Sequence, residues 1–144
     1  MDYSSLVREL GGVLGFELTF SDKGTCGVFF DNDEVLFEVG DGRMFIMADL
    51  GSSEGREDAY ARLLTAGNLG LETGFSCIGI DEQRGQFTLC RVLEGDLAYP
   101  DFEKLLTVFV SAVRYWKKWL SLPPEQPASA DDSYLRFAQN SINV

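Results

Sequence analysis

The sequence predicts an α+β domain: an N-terminal helix, an antiparallel β-sheet of five to six strands, a middle helix and a long C-terminal helix. Three observations carry that expectation. Apolar residues recur at three- and four-residue steps near both ends of the first 120 residues. Between those ends run short stretches rich in β-branched and aromatic residues, cut by Gly, Asp and Asn. The connections between neighbouring stretches are short enough for hairpins, which makes the strand pairing antiparallel.

Residues 2 to 14 form the first expected helix, with Tyr3, Leu6, Val7, Leu10, Val13 and Leu14 on its stripe. Asp2, Ser4 or Ser5 can cap it. Gly11 and Gly12 each weaken it by about 1 kcal/mol relative to Ala, so its last turn either frays or admits a second backbone at close range. The β-like runs that follow are FELTF at 16–20, TCGVFF at 25–30, EVLFEV at 34–39 and RMFIMADL at 43–50, expected as four antiparallel strands. Gly51-Ser52-Ser53 then breaks the pattern. Glu54, Glu57 and Asp58 place negative charge where the first turns of a helix favour it, and that second helix is expected to run to about Asn68, with Tyr60, Leu63, Leu64 and Gly67 on one face. Phe75 to Glu82 and Gln86 to Val92 flank Gln83-Arg84-Gly85 as a second hairpin.

Tyr99 to Leu120 carries the longest apolar stripe: Phe102, Leu105, Leu106, Phe109, Val110, Val113, Trp116 and Leu120. Pro100 suits its first position, Lys117 and Lys118 suit its end, and Pro123-Pro124 forbid continuation. Residues 1–121 therefore read as one domain, and residues 122–144 as a Pro-rich acidic linker with a short tail whose pattern suits a helix. Tyr134, Phe137 and Ile142 make that tail apolar enough to dock on the domain's apolar surface. A domain of this size buries roughly 68% of the surface of its unfolded chain, enough for a real core.

Composition excludes several functions. The 45% apolar and 24% charged content is that of a globular chain. A net charge of −11 opposes a phosphate backbone, and the 12 Lys and Arg are scattered, so no nucleic-acid binding is expected. No apolar run approaches the roughly 20 residues of a membrane helix, and MDYSSLVREL lacks the basic and hydrophobic regions of a secretory signal, so membrane insertion is not expected and the location is expected to be cytoplasmic. Cys26, Cys77 and Cys90 are odd in number and widely spaced, each in an expected strand, which suits buried reduced thiols.

Chemistry-bearing patterns are few. The chain has no His, the commonest metal ligand and general base. Asp31, Asp33 and Glu34 fail the calcium-loop pattern because Val35 and Leu36 stand where a ligand and a Gly belong, so they read as a solvated turn. Gly11 to Gly15 lacks the Lys and Ser/Thr of a phosphate loop and ends a helix rather than following a strand. Ser76 beside Cys77 makes no nucleophile elbow. No catalytic, cofactor or metal site is expected. What stands out is apolar: Phe16, Phe20, Phe29, Phe30, Phe37 and Phe45 in the N-terminal strands, where apolar side chains fall on both faces.

The middle of the chain, Ala59 to Val92, carries the one specific likeness. Leu63-Leu64 followed by Ala66-Gly67-Asn68-Leu69, then the strands Phe75 to Asp81 and Gly85 to Arg91, resemble the class I effector chaperones of bacterial type III secretion, the Tir chaperone family, over about residues 3 to 120. Gly67 departs from the family's more usual small residue followed directly by Asn. The resemblance implies a bacterial, cytoplasmic, ATP-independent homodimer with no cofactor, which holds the N-terminal chaperone-binding segment of a secreted effector. The client would dock on the first helix and N-terminal strands, at Leu6, Leu10, Val13, Leu18, Phe20, Phe29 and Phe37. Its backbone would also add to a sheet edge. The dimer would form through the second helix and following strands, at Tyr60, Leu63, Leu64, Ile78, Ile80 and Leu89. The alternative is a cytoplasmic adaptor or regulatory protein of the same fold unrelated to secretion.

Overall fold

Asp2 starts the first helix. Its carboxylate accepts hydrogen bonds from the Ser4 amide at 3.0 Å and the Ser5 hydroxyl at 2.7 Å, satisfying donors that a helix start leaves unpaired. In this computed structural model, which describes residues 2–124, helix α1 spans Tyr3–Leu14 and ends on Gly15 in the left-handed conformation. Gly11 faces inward: a Cβ there would lie 2.6 Å from the Phe16 carbonyl oxygen and 2.9 Å from the Leu18 nitrogen. The second backbone expected near these glycines is thus the chain's own continuation, folded back on α1.

That contact corrects the expected strand at 16–20, which is irregular. The Phe16 amide is committed to the Gly11 carbonyl and Ser21 is tied to Thr25, so the segment lies on the helix and not in the ladder. Its alternation reports burial of Leu18 beneath α1, which a helix surface provides as well as a sheet does. Three strands instead of four precede the middle helix: β1 (Thr25–Phe30), β2 (Asp33–Gly40) and β3 (Arg43–Ser52). Asp41 and Gly42, both with positive φ, make the two-residue turn between β2 and β3, and Asp31 with positive φ serves the turn before β2.

The middle helix is shorter than expected. Gly55 at φ 68° holds Glu54 in a turn, a 3-10 turn follows at Glu57–Ala59, and α2 proper is Tyr60–Gly67. A second 3-10 turn, Asn68–Gly70, contains Leu69 at φ 58°. The next strand also starts late: Phe75 has φ 61° and the Thr73 hydroxyl donates to the Ser76 carbonyl, so β4 is Cys77–Asp81. After β5 (Gln86–Glu94), α3 runs Tyr99–Ser121 with Pro100 in its first turn, close to the expected limits. The expected linker and tail helix lie beyond Leu122 to Pro124 and so outside the described residues.

The five strands pair antiparallel throughout in the order β1-β2-β3-β5-β4. Period-two alternation sends Val35, Phe37, Met44, Ile46, Phe87 and Leu89 to one face, where α1 and α3 cover them with Leu6, Val7, Phe102, Phe109 and Trp116. Trp116 is fully buried and donates its indole N–H to the Glu72 carbonyl at 2.8 Å. Beside it the Glu72 carboxylate, itself buried, pairs with Arg62, whose guanidinium lies 5.1 Å from the Trp116 ring centre. Among the described residues all three helices lie on that side, and none of them covers the other, open face of the sheet. Among the described residues no helix is long and apolar enough to cross a membrane.

Candidate partner-binding surfaces

One groove runs between α1 and α3. The stripe of each helix is wider than the sheet can cover, so its flanks meet in a channel of about 310 Å³ lined by Leu10, Val13, Leu14, Phe30, Tyr99, Leu106 and Val110, with Glu103, Thr107, Ser111 and Arg114 as its polar wall. Val13 is 64% exposed at its rim, and Leu10 forms its buried floor. Tyr99 lies at one end, its hydroxyl shut off from water beside the Glu103 carboxylate. Burial, then the nearby Glu103 and Glu9 carboxylates, push the Tyr99 pKa up to about 12, so the phenol remains a neutral donor.

A second groove of about 110 Å³ lies where α2 crosses the outer strands, lined by Tyr60, Leu63, Leu64, Ile78, Gly79, Ile80 and Phe87. Its walls are almost wholly apolar. Leu64 stands 74% exposed and Ile80 42% exposed beside it, with the Tyr60 ring edge-on to Phe87 at 6.0 Å. The open sheet face supplies a third region, where Phe29, Leu36 and Met47 border a hollow with Glu34, Asp49 and Arg84. Arg84 bridges Asp49 and Asp81 there with hydrogen bonds of 2.7 to 2.8 Å. Val92, 40% exposed, alternates onto the same face.

The expected client contacts divide accordingly. Leu6, Leu18 and Phe37 lie at core positions: each is turned under the sheet or helices with almost no exposed surface, because the stripe and alternation that flagged them are signals of burial. Leu10 is buried as well but reaches the α1/α3 groove, and Phe20 is half-buried against the core. Val13 and Phe29 are exposed, on two different surfaces. Of the expected dimer residues, Tyr60, Leu63, Leu64, Ile78 and Ile80 come together in the α2 groove, while Leu89 is fully buried in the core. Sequence reasoning missed Phe30, Tyr99, Leu106 and Val110 as groove walls. The width of the α3 stripe was the available signal, since it exceeds what one sheet can cover.

The acidic turn is a cross-link. Asp33 accepts from Lys117 at 2.7 Å and from Arg114 at 3.0 Å, and Asp31 accepts from Arg114 at 2.9 Å, so the two aspartates tie the β1–β2 turn to α3. Partial burial works against the Asp33 carboxylate, but hydrogen bonds from Lys117 and Arg114 hold its pKa below the usual range. The cysteines divide too: Cys26 is buried as expected, whereas Cys77 is exposed on β4 and Cys90 is half-buried on β5.

The profile of the Tir chaperone protein (CesT) family matches residues 5–117. The chain belongs to that family. Its fold is shared by several solved structures. The structure of the HopA1-SchA chaperone-effector complex matches with a TM-score of 0.68 at 20% identity, covering 81% of this chain and 93% of that one. The ExsC-ExsE complex matches with a TM-score of 0.69 at 22% identity, covering 88% and 100%. The Yersinia pestis type III secretion chaperone SycH, solved with a stable fragment of YscM2, matches with a TM-score of 0.61 at 21% identity, covering 78% and 97%. No curated protein sequence matches. In this CesT family member the elements run helix, three strands, helix, hairpin and long helix.

Proposed function

We propose that this protein is a non-catalytic, ATP-independent homodimeric chaperone that binds the N-terminal segment of a type III secreted effector and keeps it soluble and competent for secretion. The observation that carries the reading is membership of the Tir chaperone family across residues 5–117. The geometry supports it. The α1/α3 groove offers apolar walls with a buried phenol donor at one end, which suits an extended segment bearing one or two large apolar side chains. Val13 in the groove and Phe29 on the open sheet face are the proposed direct contacts, Leu10 forms the groove floor, and Leu6, Leu18, Phe20 and Phe37 hold the surface in shape. Tyr60, Leu64, Ile78 and Ile80 form the proposed dimer contact, backed by Leu63 and Leu89. The net charge of −11 would keep a loaded complex dispersed.

The test pairs the full-length protein with the N-terminal segments of effectors encoded in the same genome, using size-exclusion chromatography with light scattering. The expected result is a dimer alone at micromolar concentration and a stable complex with at least one segment, unchanged by ATP. A strictly monomeric particle, or complexes that need ATP, would overturn the reading. If the partner recovered is instead a resident cytoplasmic protein and no effector segment binds, the adaptor role takes its place.

A further inference from the structure

Cys77 and Cys90 are directly opposed across the β4–β5 pair, both on the open face of the sheet. Opposed residues of antiparallel strands have Cα atoms about 4.5–5.5 Å apart, inside the range of about 4.4–6.8 Å that a disulfide spans. Both thiols are free, Cys77 exposed and Cys90 half-buried. Cys90 lines a second hollow on that face, beside Met47 and Thr88. Among the described residues β4 is an edge strand paired with β5 alone, so no described strand shields Cys77. Cys26 lies in the core on β1, away from both.

We propose that Cys77 and Cys90 form a cross-strand redox pair, a dithiol that closes to a disulfide by exchange with a low-molecular-weight disulfide and so locks the edge strand β4 onto β5. The exposed Cys77, as thiolate, attacks one sulfur of the oxidant. The oxidant's S–S bond breaks, one thiolate leaves, and a mixed disulfide forms on Cys77. Cys90 then loses its proton to solvent and attacks the Cys77 sulfur, expelling the second thiolate. Two protein thiols are oxidised and one oxidant disulfide is reduced to two thiols, so the step balances. Burial, and then Cys77, push the Cys90 thiol up, which suits Cys90 to the second, intramolecular attack, where proximity offsets a small thiolate fraction. The disulfide would be exposed on one side, the type that a reducing pool readily reopens. Closure has a target: Ile78 and Ile80 project from the opposite face of β4 into the α2 groove, so pinning β4 fixes one wall of that groove.

The experiment transfers the reduced full-length chain into glutathione buffers of rising oxidised fraction. The expected result is a fall from three titratable thiols to one, loss of two hydrogens in intact mass with no glutathione retained, and a peptide map joining Cys77 to Cys90. Tm should rise by on the order of 5 °C and return on reduction. Cys26→Ser should keep this behaviour, whereas Cys77→Ser, Cys77→Ala and Cys90→Ser should each abolish the loss of two hydrogens. Three thiols persisting in fully oxidised buffer, a stable glutathione adduct without ring closure, or a disulfide between Cys77 residues of two copies would each overturn the proposal.

Discussion

Gly11 and Gly12 are neighbours in α1 with opposite structural duties. A methyl group at Gly11 would sit 2.6 Å from the Phe16 carbonyl oxygen, and backbone cannot swing aside as a side chain can, while nothing lies within 4 Å of a Cβ at Gly12. Gly11→Ala is therefore expected to cost about 1–3 kcal/mol, as overpacking does, and to free the segment through Leu18. Gly12→Ala should instead stabilise the protein by about 0.5–1 kcal/mol by removing the entropy cost of a helical glycine. Urea titrations of the two variants measure both. Equal effects would mean that the close approach at Gly11 does not hold in solution. The Arg62–Glu72 pair gives a second contrast: Glu72 is buried with its carboxylate facing a single guanidinium, so Arg62→Ala strands a charge. A loss of about 2–3 kcal/mol is expected, moderated by the partial exposure of Arg62. The Arg62→Ala/Glu72→Gln double variant should recover part of it, read from the same titrations.

The long helix α3 shows which elements are written plainly in a sequence. Its period, its Pro100 start and its Pro123-Pro124 stop agree with one another, and it forms within one residue of expectation. Residues 16–20 show the reverse. Alternation at Phe16, Leu18 and Phe20 is the same whether the buried partner is a strand or a helix, and the deciding contact, the Gly11 notch, is long-range information. Likewise the start of β4 is set by Phe75 in a left-handed conformation and by Thr73 gripping the Ser76 carbonyl, neither of which a β-rich run announces. The candidate surfaces follow the same logic: periodicity found Leu6, Leu18, Phe37 and Leu89 because they are buried, and a surface is what periodicity leaves over, as at Val13 and Leu64. The β1–β2 turn joins α3 through charge. The Asp33 pKa is depressed in the folded state, so its contribution is fully present above the unfolded value near 3.9 and is lost as pH falls through the lower folded value. Asp33→Asn should then cost about 1 kcal/mol at pH 7, discounted because Arg114 and Lys117 are each more than a third exposed, and the difference from the parent should vanish as pH falls through the lowered folded value. Denaturation midpoints at successive pH values check it, and a cost that persists in acid would assign the effect to packing.

Because the three helices crowd one face of the sheet, the two apolar grooves fall on separate flanks of the molecule, one between α1 and α3 and one between α2 and β4. Separate grooves make client binding and self-association separable by mutation. In the proposed homodimer a two-fold axis would bring the α2 groove of one copy against the same groove of the other, so every substitution there counts twice. Ile80→Asp introduces a charge into each half of an apolar seam; at about 2 kcal/mol per copy the dimer should weaken on the order of a thousandfold. Ile80 is 42% exposed in the single chain, so the folded monomer should lose little. Val13→Asp, at 64% exposure on the rim of the other groove, touches one client site per copy and should leave the dimer intact while weakening effector binding about tenfold or more. Sedimentation of both variants over a concentration series, with titration of an effector segment, distinguishes the cases. If Ile80→Asp remains dimeric at the parent's dissociation constant, α2 and β4 are not the seam. If Val13→Asp binds as the parent does, the α1/α3 groove does not hold the client. The two results are independent, because no residue lines both grooves.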